Sequence, residues 1–161
     1  MNNIKWLYPK KTSLENIQKV ENYFNIKFPD DYVTCVLLNN EAYPTPSIFE
    51  IGTFEEVINN LIEIENGIVT SYKSVEKIIP EKLIPFADCG DGNVICFDYR
   101  KDITNPTVVF WDYEKACREY YNYESVGFDD EKYAFNYDKA ITYICDSFTE
   151  LLNMLHEPEE E

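Results

Sequence analysis

Leu83-Ile84-Pro85-Phe86-Ala87 and Val94-Ile95-Cys96-Phe97-Asp98-Tyr99 are two apolar runs held apart by Asp88-Cys89-Gly90-Asp91-Gly92-Asn93. Asp-Gly is favoured in tight hairpins because both central residues must reach positive φ, so this stretch predicts two paired antiparallel strands. Thr107–Trp111, entered after Pro106, is β-branched and aromatic and predicts a third strand. Tyr121 and Tyr123 alternate with Asn122 and Glu124, which predicts an edge strand over 120–126, with helix possible upstream at 114–119.

Helical spacing surrounds this meander. Thr12-x-x-Glu15 is a capping box, and Leu14, Ile17, Val20, Tyr23 and Phe24 recur at helical spacing over about 13–24, with Asn25 as the stop. Pro29 pushes Phe28 out of the helical region, so Ile26–Pro29 is extended, and Asp30 caps a second helix through about Asn39. Pro44 and Pro46 make residues 41–46 a loop, and Ser47–Ile51 reads as a short strand. Thr53-x-x-Glu56 is a second capping box, opening a helix to about Glu65 with Phe54, Val57, Ile58, Leu61 and Ile62 as its stripe. A helical piece follows around 71–78. The closing helix is expected over about 138–156, with Ala140, Ile144, Phe148, Leu151 and Leu155 on one face. Helices first, a strand meander in the middle and a closing helix predict an α+β fold: one domain over 1–156, a mostly antiparallel sheet with helices packed around it, and a disordered acidic tail at 157–161.

Composition narrows the function. Thirty acids against fourteen bases give the 161 residues a formal charge of −16. The excess is uneven, since residues 1–40 carry a net +1 and residues 41–161 a net −17. Such a chain is a poor nucleic-acid binder, because that binding rests on Lys and Arg at phosphate. It is an equally poor ligand for an anionic membrane, and no run approaches the ~20 apolar residues of a membrane span. The N-terminus lacks a signal-peptide run, which places the protein in the cytoplasm. Cys35, Cys89, Cys96, Cys117 and Cys145 are odd in number and scattered without a C-x-x-C pair, so they read as buried thiols in a reducing compartment.

The ordered set of Ile26-Lys27-Phe28-Pro29-Asp30-Asp31-Tyr32, Ile84-Pro85-Phe86-Ala87-Asp88, the Asp91-Gly92-Asn93 turn, Val94–Asp98, Pro106-Thr107-Val108-Val109 and Ser147-Phe148-Thr149-Glu150-Leu151-Leu152 resembles the SUKH superfamily. The resemblance is to its Smi/Knr-like branch, named after a yeast cell-wall assembly regulator, and covers roughly residues 12–155. It implies one sheet with helices packed around it. For many bacterial members it implies an immunity protein that binds and silences a cognate toxin, often a nuclease. Where many relatives have a Gly-rich turn after the second helix, this chain has Asn39-Asn40-Glu41-Ala42-Tyr43. The matching residues are architectural, and no catalytic residue carries over.

One constellation is a candidate binding surface. Between Trp111 and Asp138 acids and tyrosines interleave, and Glu114, Glu119, Tyr120, Tyr121, Tyr123, Glu124, Asp129, Asp130 and Glu131 are the candidate partner-binding residues. Carboxylates steer a basic protein and tyrosines supply rigid contact area ending in a hydroxyl. The other reading of the same stretch is tyrosines half buried in a sheet with acids facing solvent. Glu55-Glu56, Glu63-x-Glu65 and Asp129-Asp130-Glu131 are conceivable acid/base pairs, but that chemistry needs a fixed separation and a cleft. Asp88–Tyr99 fails the calcium-loop pattern, with Gly90 at position three and Tyr99 at position twelve. His156, the one histidine, sits in a stretch that reads as frayed. The expectation is therefore a non-enzyme with no cofactor and no metal, whose partner is a protein toxin with a basic surface. A regulatory or scaffolding adaptor is the alternative, and a carboxylate hydrolase a third.

Overall fold

The computed structural model describes residues 3–126 and 135–160. Its centre is a five-stranded antiparallel sheet in the order β5 (Asn60–Leu61), β6 (Leu83–Gly90), β7 (Asn93–Asp98), β8 (Thr107–Trp111), β9 (Ile141–Cys145). The β6–β7 hairpin turns where the sequence predicts it, with Asp91 at φ 55° and Gly92 at φ 82°. These are the left-handed values a two-residue turn of this type demands. Pro85 sits in β6 beside a register shift, beyond the two residues of β6 that pair with β5. There its missing N–H costs no ladder bond on that side.

Side chains alternate across the sheet. Ile84, Phe86, Ile95, Phe97, Val108 and Phe110 enter one face, against α1 (Leu14–Phe24), α2 (Asp30–Asn39) and α5 (Phe148–Met154). Leu83, Cys96, Val109 and Trp111 enter the other, against Ile79, Ala140 and Ala116 of α4 (Tyr113–Val126). The first face carries the larger core. Tyr32 lies edge-on to Phe86, Phe97 and Phe148, and Phe86 stacks on Phe97 with ring centroids 4.0 Å apart.

The structure corrects several expectations. Helix α1 is capped by Ser13, whose Oγ accepts from Asn16 N at 3.1 Å. Thr12 instead donates to Glu65 Oε1 at 2.6 Å. Asn25 ends α1 as expected, in the left-handed conformation. The cap position of α2 is Pro29, with no side-chain cap bond, so Asp30 is the first helical residue. Tyr43–Thr45 is a strand (β2) paired with β1 (Lys5–Leu7), Pro44 opposite Trp6. On such a two-stranded ribbon proline is tolerated because each strand has a free side.

Residues 53–65 are not helical. β3 (Ile48–Ile51) and β4 (Phe54–Val57) form a hairpin through Gly52 at φ 60°, and β5 follows. Gly-Thr between two apolar runs is a turn signal that outweighs the capping-box match. Of the piece expected at 71–78, α3 (Ile68–Ser74) covers the first half and starts earlier. The expected strand at 120–126 is the second half of α4, and the expected closing helix divides into a 3-10 turn (Tyr137–Ala140), β9 and α5. Ile141-Thr142-Tyr143-Ile144-Cys145 is β-branched and aromatic, and completes the sheet beside β8.

Candidate functional site

Helix α4 crosses the smaller-cored face of the sheet. Asp112 opens it, its Oδ1 accepting from Lys115 N at 3.0 Å, and Tyr113 N donates to Asn93 Oδ1 at 2.9 Å. The β6–β7 turn presses on this junction so closely that a Cβ at Gly92 would meet the Tyr113 ring at 2.8 Å. Only a glycine, also free at φ 82°, fits there. At the other end Phe135 wedges against Tyr120, Tyr123 and Tyr137, with centroids 6.0, 5.9 and 4.5 Å away.

The candidate residues divide by environment. Glu114 is exposed and pairs with Arg118 one turn on, at 3.1 Å. Glu119 is only 4% exposed and holds Lys139 at 3.3 Å. It ties α4 to the 3-10 turn and is withdrawn from the exposed surface, contrary to the sequence expectation. Tyr120 and Tyr123 are half-buried, whereas Tyr121 is 71% exposed. The Tyr120 hydroxyl donates to Glu124, and this bond, with some burial, raises its pKa above the ordinary phenol value. Asp129, Asp130 and Glu131 lie outside the described residues.

Tyr120, Tyr121 and Glu124 come together with the end of α3 and the turn that follows it. With Cys117 they form one wall of a groove of about 400 Å³ whose other wall is Lys73, Ser74, Val75, Glu76, Lys77 and Ile78. The α3 wall is what the sequence reading missed, because it joins the tyrosines only through the fold. Apolar Val75 and Ile78 share the lining with phenol rings, and Lys73 and Lys77 share it with Glu76 and Glu124. Such a groove suits an amphipathic protein segment.

Acids the sequence reading did not group gather at the turn end of the sheet. Burial, and after it the nearby carboxylates of Asp112 and Asp91, push the Glu56 carboxyl above its ordinary value. Glu56, Asp91 and Asp112 thus form an acidic cluster at this end of the sheet.

Asp129-Asp130-Glu131 lies outside the described residues, and among the described residues the candidate acid/base pairs do not assemble. Glu55 and Glu56 are successive residues of β4 and therefore point to opposite faces. Glu65 is tied up as an acceptor from Thr12, Asn16 and Asn40. Burial raises the thiol of Cys35 to about 11 and that of Cys145 to about 12, and lifts Cys89 and Cys96 strongly as well, so none of these four is a thiolate at neutral pH. Among the described residues no helix is long and apolar enough to cross a membrane.

Residues 11–154 match the SMI1 / KNR4 family (SUKH-1). No curated protein matches the chain significantly.

Proposed function

The chain belongs to the SMI1 / KNR4 family (SUKH-1), and we propose that this member is a non-enzymatic immunity protein that binds and neutralises a protein toxin with a basic surface. The observation that carries the reading is the α3–α4 groove, where Tyr120, Tyr121, Val75 and Ile78 offer rigid apolar contact. Interface energy concentrates in such aromatic anchors when a partner side chain seals them from water. The acidic cluster at Glu56, Asp91 and Asp112, on a chain of net charge −16, supplies long-range attraction. A nuclease has to be basic where it grips phosphate, so a carboxylate-lined surface competes for the same groove. No bond in the toxin is made or broken, and inhibition is occlusion.

The adaptor reading draws on one specific feature, the lysines Lys73 and Lys77 on the α3 wall. They make the groove itself mixed in charge and suited to a partner that is not basic. Salt separates the two readings, because attraction between exposed charges is screened beyond about 8–10 Å at physiological ionic strength.

The test is co-expression of the chain with its neighbouring open reading frames, followed by pull-down and growth rescue. Immunity predicts one toxic frame whose toxicity is relieved, with complex formation slowing steeply from low to high salt. Tyr121→Ala with Glu124→Lys is expected to abolish rescue while leaving the melting temperature unchanged. Capture of a non-toxic partner with salt-independent affinity supports the adaptor instead.

A further inference from the structure

His156 is the one histidine of the chain, and the fold delivers it to a glutamate 106 residues away in sequence. Its backbone forms an antiparallel bridge with Ile48. His156 N donates to Ile48 O at 2.9 Å, and Ile48 N donates to His156 O at 3.3 Å. The β3–β4 register then sets Glu50 directly across from Glu55. One ligand atom from each of Glu50, Glu55 and His156 therefore lies within 4.8 Å of the others. Three segments meet there, all fixed by backbone pairing.

The charges at this point are arranged for a cation. Two carboxylates placed directly opposite across a hairpin repel each other. The imidazole is oriented from outside the trio, with Nδ1 at 2.7 Å from the Glu157 carbonyl oxygen. A carbonyl only accepts, so Nδ1 carries the hydrogen. Nε2 is thereby aimed at Glu50 Oε1, 2.6 Å away. When the ring is protonated, Nε2 donates to Glu50 in an ion pair, and a divalent ion would take the place of that proton between the two ligand atoms. An imidazole pinned through its far nitrogen to a backbone carbonyl is the arrangement that orients metal-bound histidines.

We propose that Glu50, Glu55 and His156 bind a divalent transition-metal ion of the zinc class. One nitrogen and two oxygens are donors zinc accepts, and water fills the remaining position. The imidazole weighs against magnesium and calcium, which take oxygen ligands. Ligand atoms about 2.1 Å from a tetrahedral ion stand roughly 3.4 Å apart, so Nε2 and Oε1 must separate slightly as the ion enters. Glu50 is 49% exposed and His156 33% exposed, which leaves room for that movement and a path in. The bound ion staples the chain beyond α5 to the β3–β4 hairpin. It lies on different residues from the α3–α4 groove and stands independently of the partner assignment.

The test is calorimetric titration of the full, untagged chain with Zn²⁺ and, in parallel, Mg²⁺, with thermal melts of each mixture. One equivalent of Zn²⁺ is expected to bind and raise the melting temperature, while Mg²⁺ does neither. His156→Ala keeps the backbone bridge and is expected to bind Zn²⁺ at least about tenfold more weakly, with the thermal shift lost. Glu55→Gln changes only an exposed strand residue, is expected to do the same, and decides the matter if His156→Ala melts early without metal. Absence of saturable Zn²⁺ uptake, uptake unchanged in Glu55→Gln, or equal uptake of Mg²⁺ overturns the proposal.

Discussion

The two faces of the central sheet are built from the same strands but are covered differently. On one, α1, α2 and α5 seal a core of large side chains in which Tyr32, Phe86, Phe97 and Phe148 interlock. On the other, a smaller cluster around Trp111, Val109 and Leu83 is covered by α4 and the segment after α3, and aromatic surface is left over at the edge. Stability therefore resides mainly in the first face, and the second is free to carry recognition. A helix whose buried contacts are few can present tyrosines outward without jeopardising the fold.

The sharpest way to break this contrast is to hollow the first face. Phe97→Ala removes a fully buried ring stacked on Phe86 and is expected to cost about 3–5 kcal/mol in denaturant unfolding. A loss under 1 kcal/mol contradicts the division. On the second face, Tyr121→Ala with Glu124→Lys is expected to change unfolding by less than about 0.5 kcal/mol. The same pair weakens the partner complex by roughly 2 kcal/mol or more, measured by calorimetry.

Acid tests the ties that hold the helical side. Burial alone raises the Glu65 carboxyl, but the bonds from Thr12, Asn40 and Asn16 bring it net below its ordinary value. Asp98 behaves likewise, with burial offset by Arg100, which also bonds Asp138 at 3.0 Å. For both, the folded value is depressed. Their contribution is therefore complete above the ordinary carboxylate range near pH 4 and is lost as pH falls through the folded value. Melts from pH 6 down to pH 2 are expected to show that loss. Glu65→Gln, lowering stability by about 1 kcal/mol at pH 6, flattens part of the decline.

The smallest expected effect has the opposite sign. The Tyr32 hydroxyl is buried and has no hydrogen-bond partner among the described residues. Tyr32→Phe removes an unsatisfied group from an aromatic cage and is expected to leave stability unchanged or raise it by up to about 1 kcal/mol. A marked loss shows that the hydroxyl has a partner in solution.

Legibility followed the range over which the physics acts. The β6–β7 hairpin was readable because Asp91-Gly92 satisfies a dihedral demand within two residues, and α1 because its stripe and its Asn25 stop are equally local. Residues 53–65 and 138–147 misled because Phe54, Val57 and Leu61, or Ile141 and Ile144, fit helical spacing while strands take them. Tyr121 and Tyr123 misled in the other direction, as alternation on what is the second half of α4. At the site, the tyrosines of α4 were visible as a composition, but the α3 wall was not. Glu119 looked like any other surface acid, and only the placement of Lys139 shows it to be a buried tie. Glu50, Glu55 and His156 left no trace in spacing, since a hairpin register and one backbone bridge bring them together.

The central claim is that the second face receives the partner. Amide hydrogen exchange of the chain alone and in its complex, read by mass spectrometry, tests it most directly. The account predicts that binding slows exchange in residues 71–78 and 117–124 and leaves α1, α2 and the β1–β2 ribbon unchanged. Protection confined to α1, α2 or β1–β2, with the α3–α4 groove exchanging as freely as before, would contradict it.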